Sequence, residues 1–428
     1  RVEVLKKLNW QNLACKSFNK KILDNYFTLS YLIKAFFIAS CLCAFIYFEY
    51  FDMTHFMVNS LLALIGFYLL LGENKIIWFW SGFFTGILWF YWISFSFVYY
   101  DLAYLIPLII LALALAYGFF FWVIGSLGKH IAIQAVLLYF LSFFEPFGFN
   151  WLKPELILLN SYFSTDLTRF GIFLLGIVAL KALPKWYKLC SILFLGASLQ
   201  LTLPSTVTPP QLDVEIPSMN IPQSQRWDKQ YQQEAIELNF SLIEKAISKG
   251  KELIILPESA FPLYLNRQTE LMEELKNYSH HIAIVTGSLT YENENFFNSS
   301  YLFQEGQMQV AHKIVLVPFG EEVPFPEFIN TFINQVFFDG AKDYQKAKEP
   351  QDFMIKGIAF RNAICFEATK DLLFEGNPKA MIAISNNAWF TPSTEQTLQN
   401  LLLRLYARKY QTVIYHSANA GKSGIILP

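Results

Sequence analysis

The chain has 428 residues, 16% of them charged, with a formal net charge of −1 and a mean hydropathy of +0.33. It is too long for one ordinary core and too apolar for a wholly soluble protein, and neither half has the basic surface of a nucleic-acid binder. The polarity is split: residues 1–204 hold fourteen Lys/Arg against nine Asp/Glu, whereas residues 205–428 hold nineteen against twenty-five.

After a basic start (Lys6, Lys7, Lys16, Lys20, Lys21), apolar runs predict seven membrane spans near 33–49, 56–71, 76–100, 102–124, 131–147, 168–183 and 188–204. A bilayer core needs about 17–25 helical residues per span, which Ile76–Tyr100 and Leu102–Ile124 satisfy and the sixth run approaches least well. Span follows span, the pattern of a polytopic bundle rather than of a cleaved leader. The lysine-bearing joins (Gly72–Lys75, Lys129-His130, Lys181–Lys188) alternate with joins poorer in lysine (Glu49–His55, Asp101, Glu145–Arg169). Lys/Arg-rich short loops stay cytoplasmic, so seven spans put everything after residue 204 outside. Pro107, Gly82, Gly86 and Gly118 are tolerable within such helices and suit close packing. Lys34, near a span end, can reach the interface. The turn-like aromatic loop Glu145-Pro-Phe-Gly-Phe-Asn-Trp151 is expected against the second half.

Pro204-Ser-Thr-Val-Thr-Pro-Pro210 is a linker by composition, which divides the chain into a bundle, 1–204, and a second domain, 205–428. The second domain reads as alternating elements. Strands are expected at Val214–Ile221, Leu253–Leu256, Ile282–Thr286, Ile355–Cys365, Ala380–Ser385, Thr412–Ser417 and Gly424–Leu427. A hairpin is expected around Glu305-Gly306. Helices are expected at Gln230–Gly250, Thr269–Tyr278 and Thr394–Ala407, with a helix or lid at Pro324–Val336. This is an α/β layer pattern. No phosphate-binding glycine loop is present, so no nucleotide cofactor is expected, and the Gly-x-Ser-x-Gly elbow is missing. The cysteines are Cys15, Cys41, Cys43, Cys190 and Cys365. Cys41-Leu-Cys43 lacks partners for a metal, and Cys365 stands alone beyond residue 204, so that half has no internal disulfide.

Three strand-to-turn junctions carry chemistry. Leu253–Ser259 delivers Glu258, Ala311–Glu321 carries Lys313 and Glu321, and Gly357–Thr369 carries Cys365 and Glu367. A thiol is weakly ionised at neutral pH and needs a base to attack an ester. An acid that takes its proton, and an ammonium facing the developing oxyanion, complete an acyl-transfer centre.

Leu256-Pro-Glu-Ser259, Lys313-Ile-Val-Leu-Val-Pro-Phe-Gly-Glu321 and Cys365-Phe-Glu367 resemble, in order, the three signatures of the nitrilase superfamily. With Ser385-Asn-Asn-Ala-Trp-Phe390 and the membrane half, nearly the whole chain resembles the apolipoprotein N-acyltransferases. The resemblance implies a polytopic helical bundle followed by an extracytoplasmic αββα sandwich. It implies transfer of a fatty acyl chain from a phospholipid, through a thioester on Cys365, to the N-terminal α-amine of a diacylglyceryl-cysteine lipoprotein. Glu258, Lys313 and Cys365 would be catalytic, with Glu321 and Glu367 supporting. Trp227, Phe366, Asn386, Trp389 and Phe390 are candidates for substrate contact, with core packing the competing role. Pro318–Phe338 would gate lipid access. No metal, other cofactor or nucleic acid is implied. The protein is expected to be a monomer in the bacterial inner membrane, with its catalytic domain periplasmic. Arg404 and Arg408, four apart on one helix, suit either acids or a phosphate.

Three departures from the family pattern stand out. Phe366 replaces a common tyrosine, Asn387 replaces a usual aspartate, and the residues through Pro428 contain no further membrane helix of the kind relatives commonly have. Two other functions are open to the same residues: a membrane-bound amidase or nitrilase using the same triad, and a non-catalytic lipoprotein-binding protein.

Overall fold

The structure, a computed structural model, describes residues 27–200, 207–225, 229–318, 320–322 and 344–428. The basic start, Trp227 and the expected helix at 324–336 lie outside the described residues.

Each of the seven predicted apolar runs carries a helix: α1 (Leu29–Tyr50), α2 (Phe56–Leu70), α3 (Lys75–Phe90), α4 (Ile106–Leu127), α5 (Ile131–Phe140), α6 (Leu167–Ala182) and α7 (Leu189–Ala197). Asn74 starts α3 by accepting the free N–H groups of Ile76 and Ile77 at 2.9 and 3.1 Å, and tighter 3₁₀ turns carry this helix on to Tyr100. Among the described residues, three stretches, Leu29–Tyr50, Lys75–Tyr100 and Ala103–Leu127, are long and apolar enough to cross a membrane, and Phe56–Leu70 and Ile131–Phe143 are apolar but shorter. The bundle interior is aromatic, with Phe67, Trp78, Trp89, Phe90, Phe170 and Phe173 buried. Leu108, Leu111, Leu115 and Phe119 of α4 point outward, an arrangement that is unfavourable in water and natural in lipid.

Gly82 sets the tightest helix contact. A Cβ there would lie 2.5 Å from both the Phe121 Cβ and the Tyr117 carbonyl oxygen of α4. Gly82→Leu is therefore expected to drive α3 and α4 apart, costing at least about 1–3 kcal/mol. A fall in melting temperature in detergent, with loss of monodisperse protein, is the measurement.

The lysine-bearing joins meet at one end of the bundle. Gln134 accepts from Gly72 N–H at 2.7 Å and donates to the carbonyls of Glu73 and Gly128, both at 3.0 Å. Lys34 pairs with Glu73 at 2.7 Å, and Lys181 donates to the Leu71 carbonyl.

The second half holds two sheets. In the first, β1 (Val214–Glu215), β2 (Leu253–Ile255) and β4 (Ala283–Glu292) run parallel, and β5 (Asn295–Gln304) and β6 (Gln307–His312) follow antiparallel. β3 (Phe261–Tyr264) also pairs with β4. Glu305 and Gly306, both at positive φ, make the predicted hairpin turn. In the second sheet, β8 (Ile358–Ile364), β9 (Ala380–Asn386) and β10 (Val413–Asn419) are parallel, edged by antiparallel β7 (Asp352–Ile355) and β11 (Gly424–Ile426).

Ile255, Val285 and Leu302 of the first sheet face Phe360, Ile382 and Tyr415 of the second, forming one apolar layer. Helices α8 (Lys229–Ser248) and α9 (Thr269–Tyr278) cover the outer face of the first sheet through Ile243 and Leu275. Helix α10 (Glu395–Tyr410) covers the second through Leu403, Tyr406 and Ala407. The layers are thus α–β–β–α, as the resemblance implied.

Helix α10 is apolar on two sides for a reason. Leu398, Leu401, Leu402 and Leu405 belong to the membrane-half cluster, together with Phe366. The bundle end away from the lysines makes the polar contacts. Arg404 reaches Glu49 at 3.1 Å and the Asn160 side-chain oxygen at 2.6 Å, and Arg408 donates to the Leu159 carbonyl at 3.1 Å. Both arginines thus join the two halves. The Glu145–Trp151 loop sits in the junction as expected: Asn150 donates to Tyr406 at 2.9 Å, Trp151 to Thr369 at 2.9 Å, and Lys370 pairs with Glu145.

His416 on β10 is buried, hydrogen-bonded to Ser385 Oγ and the Lys422 carbonyl at 3.1 Å each. Burial pulls its imidazole down to about 4, against the Lys422 contact. The unfolded chain takes up this proton near pH 6.5 while the folded one refuses it, so stability is lost as pH falls through that window. The difference corresponds to about 3 kcal/mol. Glu367 works in the opposite sense, since burial pushes its carboxyl up to about 7 and its contribution is lost as pH rises toward that value. His416→Gln isolates the first effect: the melting temperature of the wild type is expected to drop toward the variant's as pH is lowered from 7.5 to 4.

Candidate active site

Each sequence-singled acid, amine and thiol sits at a strand end, and the sandwich gathers them. Glu258 follows β2, with Ser259 beside it at φ +50°. The chain can turn there because β4 passes beneath it without a side chain. A Cβ on Gly287 would stand 2.6 Å from both Glu258 Cα and Ser259 N. Lys313 follows β6, its N–H held by the Asn298 carbonyl at 2.9 Å. Cys365 follows β8 at φ +56°, a left-handed conformation that costs a non-glycine residue about 1–3 kcal/mol and recurs at functional turns.

Lys313 is fully buried and Glu258 is 7% exposed. The ammonium lies 2.9 and 2.7 Å from the two Glu321 oxygens and 4.0 Å from Glu258 Oε1. Asn298 Nδ2 donates to Glu258 at 2.7 Å and to Glu321 at 3.0 Å, tying both acids together. Val317 N–H donates to Glu321 at 2.9 Å. Burial pulls the Lys313 ammonium down, but Glu321, Glu258, Cys365 and Glu367 outweigh it and hold it charged.

Burial, followed by the charge of Glu258, keeps the Cys365 thiol well above its ordinary value, with Lys313 pulling the other way. The resting sulfur is therefore protonated and requires a base as it attacks. Tyr344 stands in the same field: burial, then Glu321, push its phenol up, which leaves it a neutral donor.

Glu367 does not pair with Lys313 within salt-bridge range. Its Oε2 accepts from Ile314 and Val315 N–H at 2.7 and 3.0 Å, and its Oε1 from Ile364 N–H at 2.8 Å. It pins the segment after Lys313 to the strand end before Cys365.

Of the proposed substrate contacts, Trp227 lies outside the described residues. Phe366 is buried, stacked on Phe149 of the bundle with ring planes 2° apart. Asn386 donates to Gln223 at 2.8 Å and accepts from Asn419 at 2.9 Å. Trp389 lies against Tyr99 and Tyr100, and Phe390 against Trp92. Of the expected gate, only Pro318 and residues 320–322 are described.

Sequence reasoning missed Asn298, Gly287, Glu395 and Gln399. Asn298 and Gly287 sit inside strands that carry no motif. Glu395 and Gln399 lie one helical turn apart at the start of α10, a spacing that signalled only a helix. Among the described residues, no group of three or more His, Cys, Asp or Glu could hold a metal.

A Glu–Lys–Cys cluster on a two-sheet α–β–β–α sandwich defines a carbon–nitrogen hydrolase domain, and the carbon–nitrogen hydrolase family model matches residues 218–427. The model of the apolipoprotein N-acyltransferase integral membrane domain matches residues 29–201. The chain is 45% identical to the apolipoprotein N-acyltransferase of Wolinella succinogenes over 90% of this chain and 93% of that one. It is 34% identical to the Campylobacter jejuni protein of the same name over 99% and 95%. Among solved structures, a CN-hydrolase superfamily protein from Xanthomonas campestris matches with TM-score 0.37 and 15% identity, covering 50% of this chain and 77% of that one. The chain belongs to the apolipoprotein N-acyltransferase family, and is an integral membrane protein of the bacterial type.

Proposed function

We propose that the protein moves a fatty acyl chain from a membrane phospholipid to the N-terminal α-amine of a diacylglyceryl-cysteine lipoprotein, through a thioester on Cys365. The observation that carries this reading is the buried Glu258–Lys313–Glu321 cluster, built on a domain whose helix α10 is packed into a membrane bundle. Exposing an acyl chain to water costs about 0.8 kcal/mol per CH₂, so a catalytic domain seated on the bundle favours lipid substrates. The reaction runs in two halves. Glu258 takes the thiol proton as sulfur attacks the ester carbonyl, and Lys313, held by Glu321, stabilises the oxyanion. Glu258 then protonates the departing glycerol oxygen. In the second half the α-amine attacks the thioester, and Glu258 accepts its proton and returns it to the sulfur as the carbon–sulfur bond breaks, which restores the thiol and the base.

We place the bundle at 1–204 and the catalytic domain at 205–428, on the periplasmic side of the inner membrane, with the protein acting as a monomer. Supporting the orientation, the second domain contacts the bundle end opposite the lysine-bearing joins, and such joins stay cytoplasmic. The amidase and binding-protein alternatives are not favoured, since the relatives matched over most of their length are named as acyltransferases.

The test is the intact mass of detergent-purified protein incubated with a defined phospholipid and no acceptor. One added acyl chain is expected, missing from Cys365→Ala and transferable to the amine of a diacylated lipopeptide. An adduct that only hydrolyses makes the protein a hydrolase, and no adduct at all overturns the thioester route.

A further inference from the structure

The side of the thiol pocket formed by α10 carries a polar chain that the reaction scheme above does not use. Gln399 is fully buried and its Nε2 donates to Cys365 Sγ at 3.6 Å. Its Oε1 accepts from Asn387 Nδ2 at 2.9 Å. Asn387 is 2% exposed and lies beside Glu395, itself 2% exposed, whose carboxyl burial holds well above the ordinary carboxylate range. Glu395 is therefore a neutral neighbour of the chain, with both an acceptor oxygen and an O–H to offer, and sets no direction in it.

We infer that Asn387 and Gln399 are positioning residues that hold one N–H donor against the Cys365 sulfur. The direction of the chain follows from which end of each amide is engaged. An amide has one donor end and one acceptor end. Asn387 gives an N–H from Nδ2 to Gln399 Oε1. That leaves Gln399 with its N–H facing sulfur rather than its carbonyl. A donor at sulfur stabilises charge as the thiol proton leaves for Glu258, whereas a carbonyl there would oppose it. The same logic fixes what residue 387 must offer. An aspartate has no N–H to give; Gln399 would turn its own donor toward it and present its oxygen to the sulfur.

This inference rests on Cys365 being the nucleophile, but its readout does not depend on acyl transfer. Site-resolved mass spectrometry follows iodoacetamide alkylation of Cys365 in the full-length, detergent-purified protein as a function of pH. Acyl-thioester formation from phospholipid is followed alongside. Gln399→Met keeps the volume and removes the donor, and Asn387→Asp reverses the chain. In both, the alkylation midpoint is expected to rise by about one pH unit and thioester formation to slow about tenfold. Profiles are read only on monodisperse protein with wild-type melting behaviour. An unshifted midpoint in Gln399→Met overturns the inference and leaves the chain as packing. An unshifted midpoint in Asn387→Asp also overturns it, since the direction of the chain would then not matter. Wild-type protein that alkylates normally but forms no thioester counts against the function proposed above, not against this chain.

Discussion

Lys313→Met is expected to abolish thioester formation and to weaken the fold. The ammonium is the only cation within salt-bridge distance of Glu258 and Glu321 among the described residues, and its Nζ lies in a fully buried residue. Removing it deletes the charge that the proposed mechanism sets against the oxyanion, worth about 10²–10³ in rate for a single preorganised donor. It also takes the ammonium from two carboxylates joined through Asn298, one of them buried, a loss of about 3–5 kcal/mol for a broken buried pair. Both effects are measurable on one preparation, by the phospholipid adduct assay and by thermal unfolding. Glu321→Gln separates them. It keeps a group able to accept from Lys313 and Val317, so stability should fall less than in Lys313→Met while the ammonium is less firmly held. An unimpaired Lys313→Met enzyme would remove the lysine from the mechanism.

Glu367→Gln should be nearly as damaging, although its carboxyl lies outside the Glu258–Lys313–Glu321 cluster. Three backbone N–H groups converge on its two oxygens. An amide has only one acceptor oxygen, so at least one of these buried donors meets an NH₂ group instead. Each buried donor left without a partner costs about 1–3 kcal/mol. The damage falls between Lys313 and Cys365, whose separation Glu367 maintains, so rate should drop together with stability. Alkylation of Cys365 should become faster as the strand end loosens, while thioester formation slows. A variant with normal stability and normal thioester formation would show that the bracket is dispensable.

The legible part of this protein lay in its periodicities and its motifs. Apolar runs marked the seven helices, because lipid and a buried interior select the same side chains along a whole span, though the runs expected to 147 and 204 are α-helical only to Phe140 and Ala197. Thr269–Tyr278 was read to the residue. The strands before Glu258, after Ser300 and before Cys365 were found because each ends in a polar turn. β3 and most of β7 went unread, being four-residue strands with no alternation to separate them from loops. The left-handed turn at Cys365 was likewise invisible, since nothing in Ile-Cys-Phe demands it.

By itself the sequence determined that a membrane bundle precedes an α/β domain, and that Glu258, Lys313 and Cys365 stand at three strand ends. Composition and period are local properties, and each motif carries its own chemistry. Only the tertiary structure decided who holds whom. Asn298 joins two acids distant in sequence, Gly287 makes room for Glu258, and Glu367 grips two other segments. Phe366 is stacked against the bundle, Arg404 and Arg408 tie the halves together, and Gln399 reaches the sulfur from a helix one motif away. These are contacts between residues separated by tens to hundreds of positions, and no local pattern encodes a partner at that range. Burial then sets their chemistry: it lifts the Cys365 thiol above its value in solvent, so that a base is required, and it makes the charge of Lys313 depend on the acids around it.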